Sequence, residues 1–249
     1  NLRFAEAVAE VAPEGAHVWI HDFQLMLMPA MLRRLRPDVG ISFFLHIPFP
    51  SSEIYRMMPR REELLRGLLG ADYLGFHTHD YARHFRACCL RILGIASSAD
   101  AIQLDGRRIG LGVHPIGIPI ERFRERLELP ETERYIAELA RRYAGKKIIF
   151  SLERLDYTKG VPEKLLAYEA FLEREPSHQR EIVLLQVLIP SRLDNPDYQE
   201  LKREIDEAIG RINGLFGSPG HSPIEYIHRS LLPHELAAFY AFADLALIT

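Results

Sequence analysis

The chain has 249 residues, 47% of them hydrophobic and 26% charged, with a formal net charge of −3, which is the balance of an ordinary globular chain sized for one large domain or two. That charge supplies no global basic field for nucleic acid, no apolar run is long enough for a transmembrane helix, and no signal peptide is visible. Cys88 and Cys89 are adjacent within an apolar helical pattern and read as reduced core residues, not as a disulfide framework.

The chain opens inside a helical pattern (Leu2, Phe4, Ala5, Val8, Ala9) and closes just after the strand-like Leu245–Thr249, so it is expected to be an internal piece of a longer protein. Val18–Ile20 reads as a short strand, followed by His21-Asp22-Phe23-Gln24 and an apolar helix from Leu25 to Leu35. Ile41–Leu45 is the next strand, running into His46-Ile-Pro-Phe-Pro50; Ser51 or Ser52 can cap the helix after it. A helix from Arg60 to Leu69, a strand over Ala71–Phe76, the polar His77-Thr-His-Asp80 and a helix from Tyr81 to Leu93 follow. Asp105-Gly106 marks a hairpin turn, and Ile109–Ile118 suits an edge strand with a crossing loop.

Glu121–Gly145 is highly charged and reads as a linker plus a helix from about Thr132 to Tyr143. Two strand–loop–helix units come next: Lys147–Phe150 with the polar loop Ser151–Gly160 and a helix from Pro162, then Glu181–Ile189 with Pro190-Ser-Arg192 and a helix over Tyr198–Asn213. A strand at Ile224–His228, a helix at His234–Ala243 and a strand at Leu245–Thr249 complete the chain. Strand–helix alternation of this kind argues for parallel sheets with helices on both faces, arranged as two Rossmann-like halves around a cleft.

Polar groups recur after the strands, where open α/β sheets bind ligands. Arg154 and Lys159 lie near a helix N-terminus, and a planar fork beside a compact charge suits phosphate oxygens; Glu153 and Asp156 can instead pair with them and neutralise the site. Asp22 either caps the following helix or accepts hydrogen bonds from sugar hydroxyls. His46 is either a satisfied structural residue or a ring aimed at a ligand by the flanking prolines. His77 and His79 alternate, yet no Cys, Asp or Glu framework around them has zinc spacing. Arg192, by itself an ordinary surface arginine, gains meaning if it shares a cleft with Arg154 and Lys159. The residues alone thus point to a two-domain α/β protein for a phosphorylated sugar or nucleotide.

Several segments occur in a fixed order: Trp19-Ile-His-Asp-Phe-Gln-Leu25, Phe44-Leu-His-Ile-Pro-Phe-Pro-Ser-Ser-Glu53, Gly75-Phe-His-Thr-His-Asp-Tyr-Ala-Arg-His-Phe85, Arg154-Leu-Asp-Tyr-Thr-Lys-Gly160, Pro190-Ser-Arg192 and Gly210-Arg-Ile-Asn-Gly214. Together they resemble the trehalose-6-phosphate synthase family, retaining glycosyltransferases of family 20 with the GT-B fold, over essentially the whole chain. The resemblance implies an α/β fold with two incomplete Rossmann-like domains: 1–130, the later part of an acceptor-side domain, and 131–249, the first part of a nucleotide-sugar domain. It implies transfer of glucose from UDP-glucose to glucose 6-phosphate, without a metal or other cofactor.

By the same resemblance, Arg154 and Lys159 grip the UDP diphosphate, His46 lies beside the donor glucose and Leu231 contacts uracil. Asp22 and Arg192 meet the hydroxyls and the phosphate of glucose 6-phosphate. Arg154, Lys159 and His46 are the catalytic candidates, and no protein nucleophile is expected. Phe23 replaces a tyrosine and Leu193 a glycine common in the family, both on the acceptor side. The family's glycine loop, an early arginine and the Asp-Gly-Met-Asn-Leu segment fall outside the chain, so the chain by itself is expected not to turn over. Alternatives are a sister synthase with another acceptor, such as glucosylglycerol-phosphate synthase, or a non-catalytic regulatory module. Neither nucleic acid nor membrane is an expected partner; the location expected is cytoplasmic, with a homo-oligomer and a fused phosphatase domain left open.

Overall fold

The structure, a computed structural model, describes residues 1–249. The chain forms two compact units, Asn1–Ile118 and Pro119–Thr249. The sequence-based division lay at 130/131.

In the first unit, α1 (Leu2–Val11) leads to β1 (His17–His21), a 3-10 turn at Phe23–Leu25, α2 (Met28–Leu35), β2 (Gly40–Phe44), the single turn α3 (Ser52–Tyr55), α4 (Arg61–Leu68) and β3 (Tyr73–Phe76). Then come α5 (His79–Leu93), β4 (Ala101–Leu104) and β5 (Arg107–Val113). The sheet order is β1-β2-β3-β5-β4, parallel except for the β4–β5 hairpin. That hairpin turns on Asp105 and Gly106 with φ of 51° and 76°, the left-handed pair that a tight hairpin requires. Contrary to expectation, β5 is interior and β4 is the edge, because β3 and β4 both bond to it.

Side chains alternate across a strand, and here the two faces differ. Ile20, Ile41, Phe43, Leu74, Phe76, Ile109 and Leu111 join Leu32 of α2, Leu65 and Leu68 of α4, and Phe85, Cys88 and Cys89 of α5 in one core. Burial drives the two thiols up, to about 11 and about 12. On the opposite face, Trp19, Ser42, Phe44, Tyr73 and His114 border an apolar recess of 430 Å³. Helices on both faces were expected; in this unit those helices share one core on one face.

The second unit has that double covering. It comprises α6 (Ile120–Leu127), α7 (Pro130–Arg142), β6 (Lys147–Arg154), a 3-10 turn at Tyr157–Lys159, α8 (Val161–Arg174) and β7 (Ile182–Ile189). After these come α9 (Pro196–Phe216), β8 (Ile224–Ile227), α10 (Pro233–Phe242) and β9 (Leu245–Ala246). The expected linker from Glu121 is partly the helix α6, which packs on α7 and α10 and so belongs to this unit. All strands are parallel, in the order β8-β7-β6-β9. Leu165 and Leu172 of α8 and Ile205, Ile209 and Ile212 of α9 cover one face; Leu139 of α7 and Ala238 and Phe239 of α10 cover the other. Buried on both faces, β7 reads as a near-continuous apolar run. Helix α9 runs three residues past its expected end at Asn213, and the Asn213 amide both donates to Ile224 O and accepts from Ile224 N at 2.9 Å, holding β8 in place.

Helix packing in the first unit depends on a close approach. A Cβ on Gly70 would lie 2.3 Å from both N and Cα of Ala30 in α2. Gly70→Ala is therefore expected to cost about 1–3 kcal/mol of stability in urea unfolding. Gly210→Ala, in the exposed middle of α9 with nothing within 4 Å, is expected to stabilise by roughly 0.5–1 kcal/mol in the same assay.

Candidate functional site

Functional side chains collect at the carboxyl ends of the strands in each unit. In the second, the chain passes from β6 outward through β7 and β8, then returns to place β9 on the other side of β6. The reversal makes a crevice beyond the ends of β6 and β9, the position where open α/β sheets bind ligands. Arg154 is the last residue of β6, and Lys159 immediately precedes Gly160, the N-cap of the 14-residue helix α8. Ser151–Arg154, expected as loop, continue the strand in register with Gln186–Ile189 of β7.

Neither cation is neutralised. Glu153 turns to the interior, where Oε1 accepts from Lys164 Nζ at 2.5 Å and Oε2 from Gln186 Nε2 at 2.8 Å. Ser151 Oγ accepts from Lys164 Nζ at 2.6 Å and lies 2.8 Å from both Glu153 Oε1 and Leu247 O, either of which can take its hydrogen. Burial holds the Lys164 ammonium below the usual lysine range, against the opposing pull of Glu153. Asp156 is engaged as well: Oδ1 accepts from Thr158 N at 3.0 Å and from Thr158 Oγ1 at 2.8 Å, and Oδ2 accepts from Tyr198 OH at 3.2 Å. Both acids that could have paired with Arg154 and Lys159 are thus bonded elsewhere. Two free cations face the crevice edge beside a positive helix end, an arrangement suited to a diphosphate.

The same crevice rim is tied together from β9. Leu247 N donates to Phe150 O at 2.8 Å, and Thr249 Oγ1 donates to Lys159 O at 2.6 Å. From β7, Arg192 enters with φ at 48°, in the left-handed region. Its Nη1 donates to Tyr198 OH at 2.7 Å and its guanidinium lies over the Tyr198 ring. Arg192 is therefore linked through Tyr198 to Asp156 and to the loop of Lys159, and it borders a shallow 470 Å³ recess with Asp194, Asn195 and Pro196. Burial opposes ionisation of Asp156, but the Thr158 and Tyr198 hydrogen bonds and the Arg192 charge outweigh it and lower its titration. Leu231 sits in the loop before α10, its side chain packed partly into the core. That loop is braced by Arg229, which grips both oxygens of Glu235 at 2.7 and 2.8 Å, while Leu232 N donates to Glu235 Oε2.

In the first unit, the ends of β1, β2 and β3 bring together His21, Asp22, His46 and His77. Asp22 has φ of 70° and gives no side-chain cap to the following turn. Its Oδ1 instead accepts from His46 N at 3.1 Å, leaving Oδ2 for a hydroxyl. His46 is not held by the backbone through its ring: Nε2 lies 2.9 Å from Nδ1 of His21. The Trp19 ring lies tilted against His21 with centroids 4.5 Å apart, and Phe44 and His77 flank His46 at 4.8 and 5.7 Å. His77 Nδ1 is buried without a hydrogen-bond partner. Sequence reading singled out Asp22 and His46 here but missed His21 as a partner; its place at the strand end was the available signal. Tyr198 and Lys164 had no comparable signal, since only the folded sheet sets them beside the loop.

A family model described as Glycosyltransferase family 20 matches residues 1–249. An alpha,alpha-trehalose-phosphate synthase [UDP-forming] A of Dictyostelium discoideum is 45% identical over 249 residues, which is 100% of this chain and 34% of that protein. Among solved structures, one described as trehalose-6-phosphate from E. coli bound with UDP-2-fluoro glucose is 33% identical with a TM-score of 0.92, over 100% of this chain and 55% of that one. Another, the N-terminal domain of a Candida albicans trehalose-6-phosphate phosphatase, is 36% identical with a TM-score of 0.90, over 99% and 52%. The chain thus spans a third to about half of the length of these proteins.

Lys164→Met would leave Glu153 charged and buried, and is expected to lower stability by about 3–5 kcal/mol in urea unfolding, most of it recovered in Lys164→Met/Glu153→Leu. Tyr198→Phe is expected to cost about 1 kcal/mol at neutral pH. Because Asp156 titrates low in the folded state, its contribution is present above the unfolded carboxylate range and is lost as the pH falls through the folded value. The gap between wild type and Tyr198→Phe should therefore close in acid-titrated unfolding.

Proposed function

The chain belongs to glycosyltransferase family 20, and from that premise we propose that the protein containing it transfers glucose from UDP-glucose to glucose 6-phosphate with retention, giving trehalose 6-phosphate and UDP. The observation that carries the reading is the unpaired Arg154 and Lys159 at the crevice between β6 and β9, beside the N-terminus of α8. Relatives bearing the trehalose-phosphate synthase name and a neighbour bound to a UDP-glucose analogue support it.

In this reading the bond between the glucose C1 and the diphosphate oxygen breaks, and its electrons pass to that oxygen. Arg154 and Lys159 stabilise the charge that develops there, the role a metal ion plays in other transferases, so no metal or cofactor is required. The acceptor hydroxyl attacks from the same face and yields its proton to the departing phosphate, so no protein nucleophile takes part. His46 is assigned to the donor glucose and Leu231 to uracil. Asp22 accepts from acceptor hydroxyls through its free oxygen, and Arg192, pinned by Tyr198, receives the acceptor phosphate. No helix is long and apolar enough to cross a membrane, and a cytoplasmic location is part of the proposal.

The second reading is a non-catalytic regulatory module, raised by the likeness to a domain of a protein that bears a phosphatase name and not a synthase one. Retention of an unneutralised Arg154 and Lys159 argues for the synthase. The full-length protein, given UDP-glucose and glucose 6-phosphate, is expected to release UDP and form trehalose 6-phosphate by mass spectrometry. Arg154→Ala and Lys159→Ala should each lower kcat by about 100- to 1,000-fold, whereas Arg192→Ala should raise KM for glucose 6-phosphate and spare that for the donor. UDP-glucose binding without product would establish the module instead.

A further inference from the structure

Two observations single out His21. Its Nδ1 lies 2.9 Å from Nε2 of His46, and its ring also contacts Trp19, tilted with centroids 4.5 Å apart. Two imidazole nitrogens in contact share one hydrogen: one ring donates and the other accepts. The contact therefore ties the tautomer of His46 to that of His21, and occupies Nε2 of His46. Only Nδ1 remains to meet a ligand, and it has no protein partner. The main chain of His46 is held by the neighbouring residue of the same strand end, since its N–H donates to Asp22 Oδ1 at 3.1 Å. One strand terminus thus sets both the backbone and the ring of His46.

We propose that His21 is a positioning residue that fixes the ring orientation of His46 and couples its tautomer to its own, so that His46 presents Nδ1 alone to the hexose of the nucleotide sugar. The proposal rests on the reading that places His46 beside the donor glucose. His21 itself touches no substrate; its effect passes through His46, as the partner of a metal-bound or catalytic imidazole sets which nitrogen is free. Phe44 and His77 border the His46 ring by aromatic contact at 4.8 and 5.7 Å and offer it no competing hydrogen bond.

The test uses the full-length protein. His21→Phe keeps an aromatic ring against Trp19 but removes the nitrogen, whereas His21→Asn puts an amide close to the position of Nδ1. His21→Phe is expected to lower kcat by about 10- to 100-fold, the loss produced by a misplaced reacting group, with KM for glucose 6-phosphate unchanged. His21→Asn should recover most of that loss. In a His46→Ala background, His21→Phe should cause no further loss, because the two residues act as one unit. A readout free of turnover is the imidazole nitrogen spectrum: Nε2 of His46 should carry the hydrogen-bond shift of its His21 contact in the wild type and lose it in His21→Phe. An unchanged His46 spectrum in His21→Phe, or losses that multiply in the double variant, would overturn the proposal. Should the His46 spectrum respond as expected while no trehalose 6-phosphate forms, the positioning role stands and the substrate assignment falls.

Discussion

The buried ion pair between Glu153 and Lys164 is the interaction on which the second unit's site depends. Strand alternation sends Glu153 toward α8 and Arg154 to the opposite side at the strand tip. A carboxylate and an ammonium with side-chain exposures of 5% and 2% can be kept charged only when each is paired and hydrogen-bonded. Ser151 and Gln186 supply the remaining bonds. The consequence at the surface is that Arg154 has no acid beside it. Because Ser151 also lies within hydrogen-bond distance of Leu247 O, the same cluster reaches the segment after β9 that forms the other wall of the crevice.

A similar economy of acids governs the neighbouring loops. Asp156 organises the turn that carries Lys159 and, through Tyr198, anchors Arg192. Arg192 in turn occupies a left-handed conformation that a non-glycine residue adopts only when its surroundings hold it there. In the first unit the equivalent organiser is Asp22, again at positive φ, whose carboxylate bridges to the loop of β2 instead of capping its own turn. Both strained positions lie at strand ends among candidate ligand groups, where strain is commonly retained for function.

Much of this was legible beforehand. The alternation of short apolar runs with amphipathic helices announced parallel α/β units, and the polar residues after each run marked the ligand edge. The ambiguity over Asp22 was chemical: a carboxylate after a strand is as fit to cap a turn as to face a sugar, and only its bond to His46 N decides. The same holds for Glu153, which local sequence offers as a partner for Arg154 at the next position. Asn213 shows the converse, a residue within a recognisable motif whose visible work is to hold β8 through two backbone bonds.

What the sequence determined by itself was the class of fold, the family, and the identity of the charged and polar groups at the strand ends, since those follow from local periodicity and from motifs carried in contiguous residues. What only the tertiary structure decided was which of those groups remain free. Strand β6 continues four residues beyond its apolar run because β7 lies in register beside it, and that continuation turns Glu153 inward to Lys164. Strand β9 returns to the far side of β6 and creates the crevice, and the ends of β1 and β2 bring His21 to His46. Each of these depends on contacts between residues distant in the chain, and so on a sheet order that no local pattern encodes.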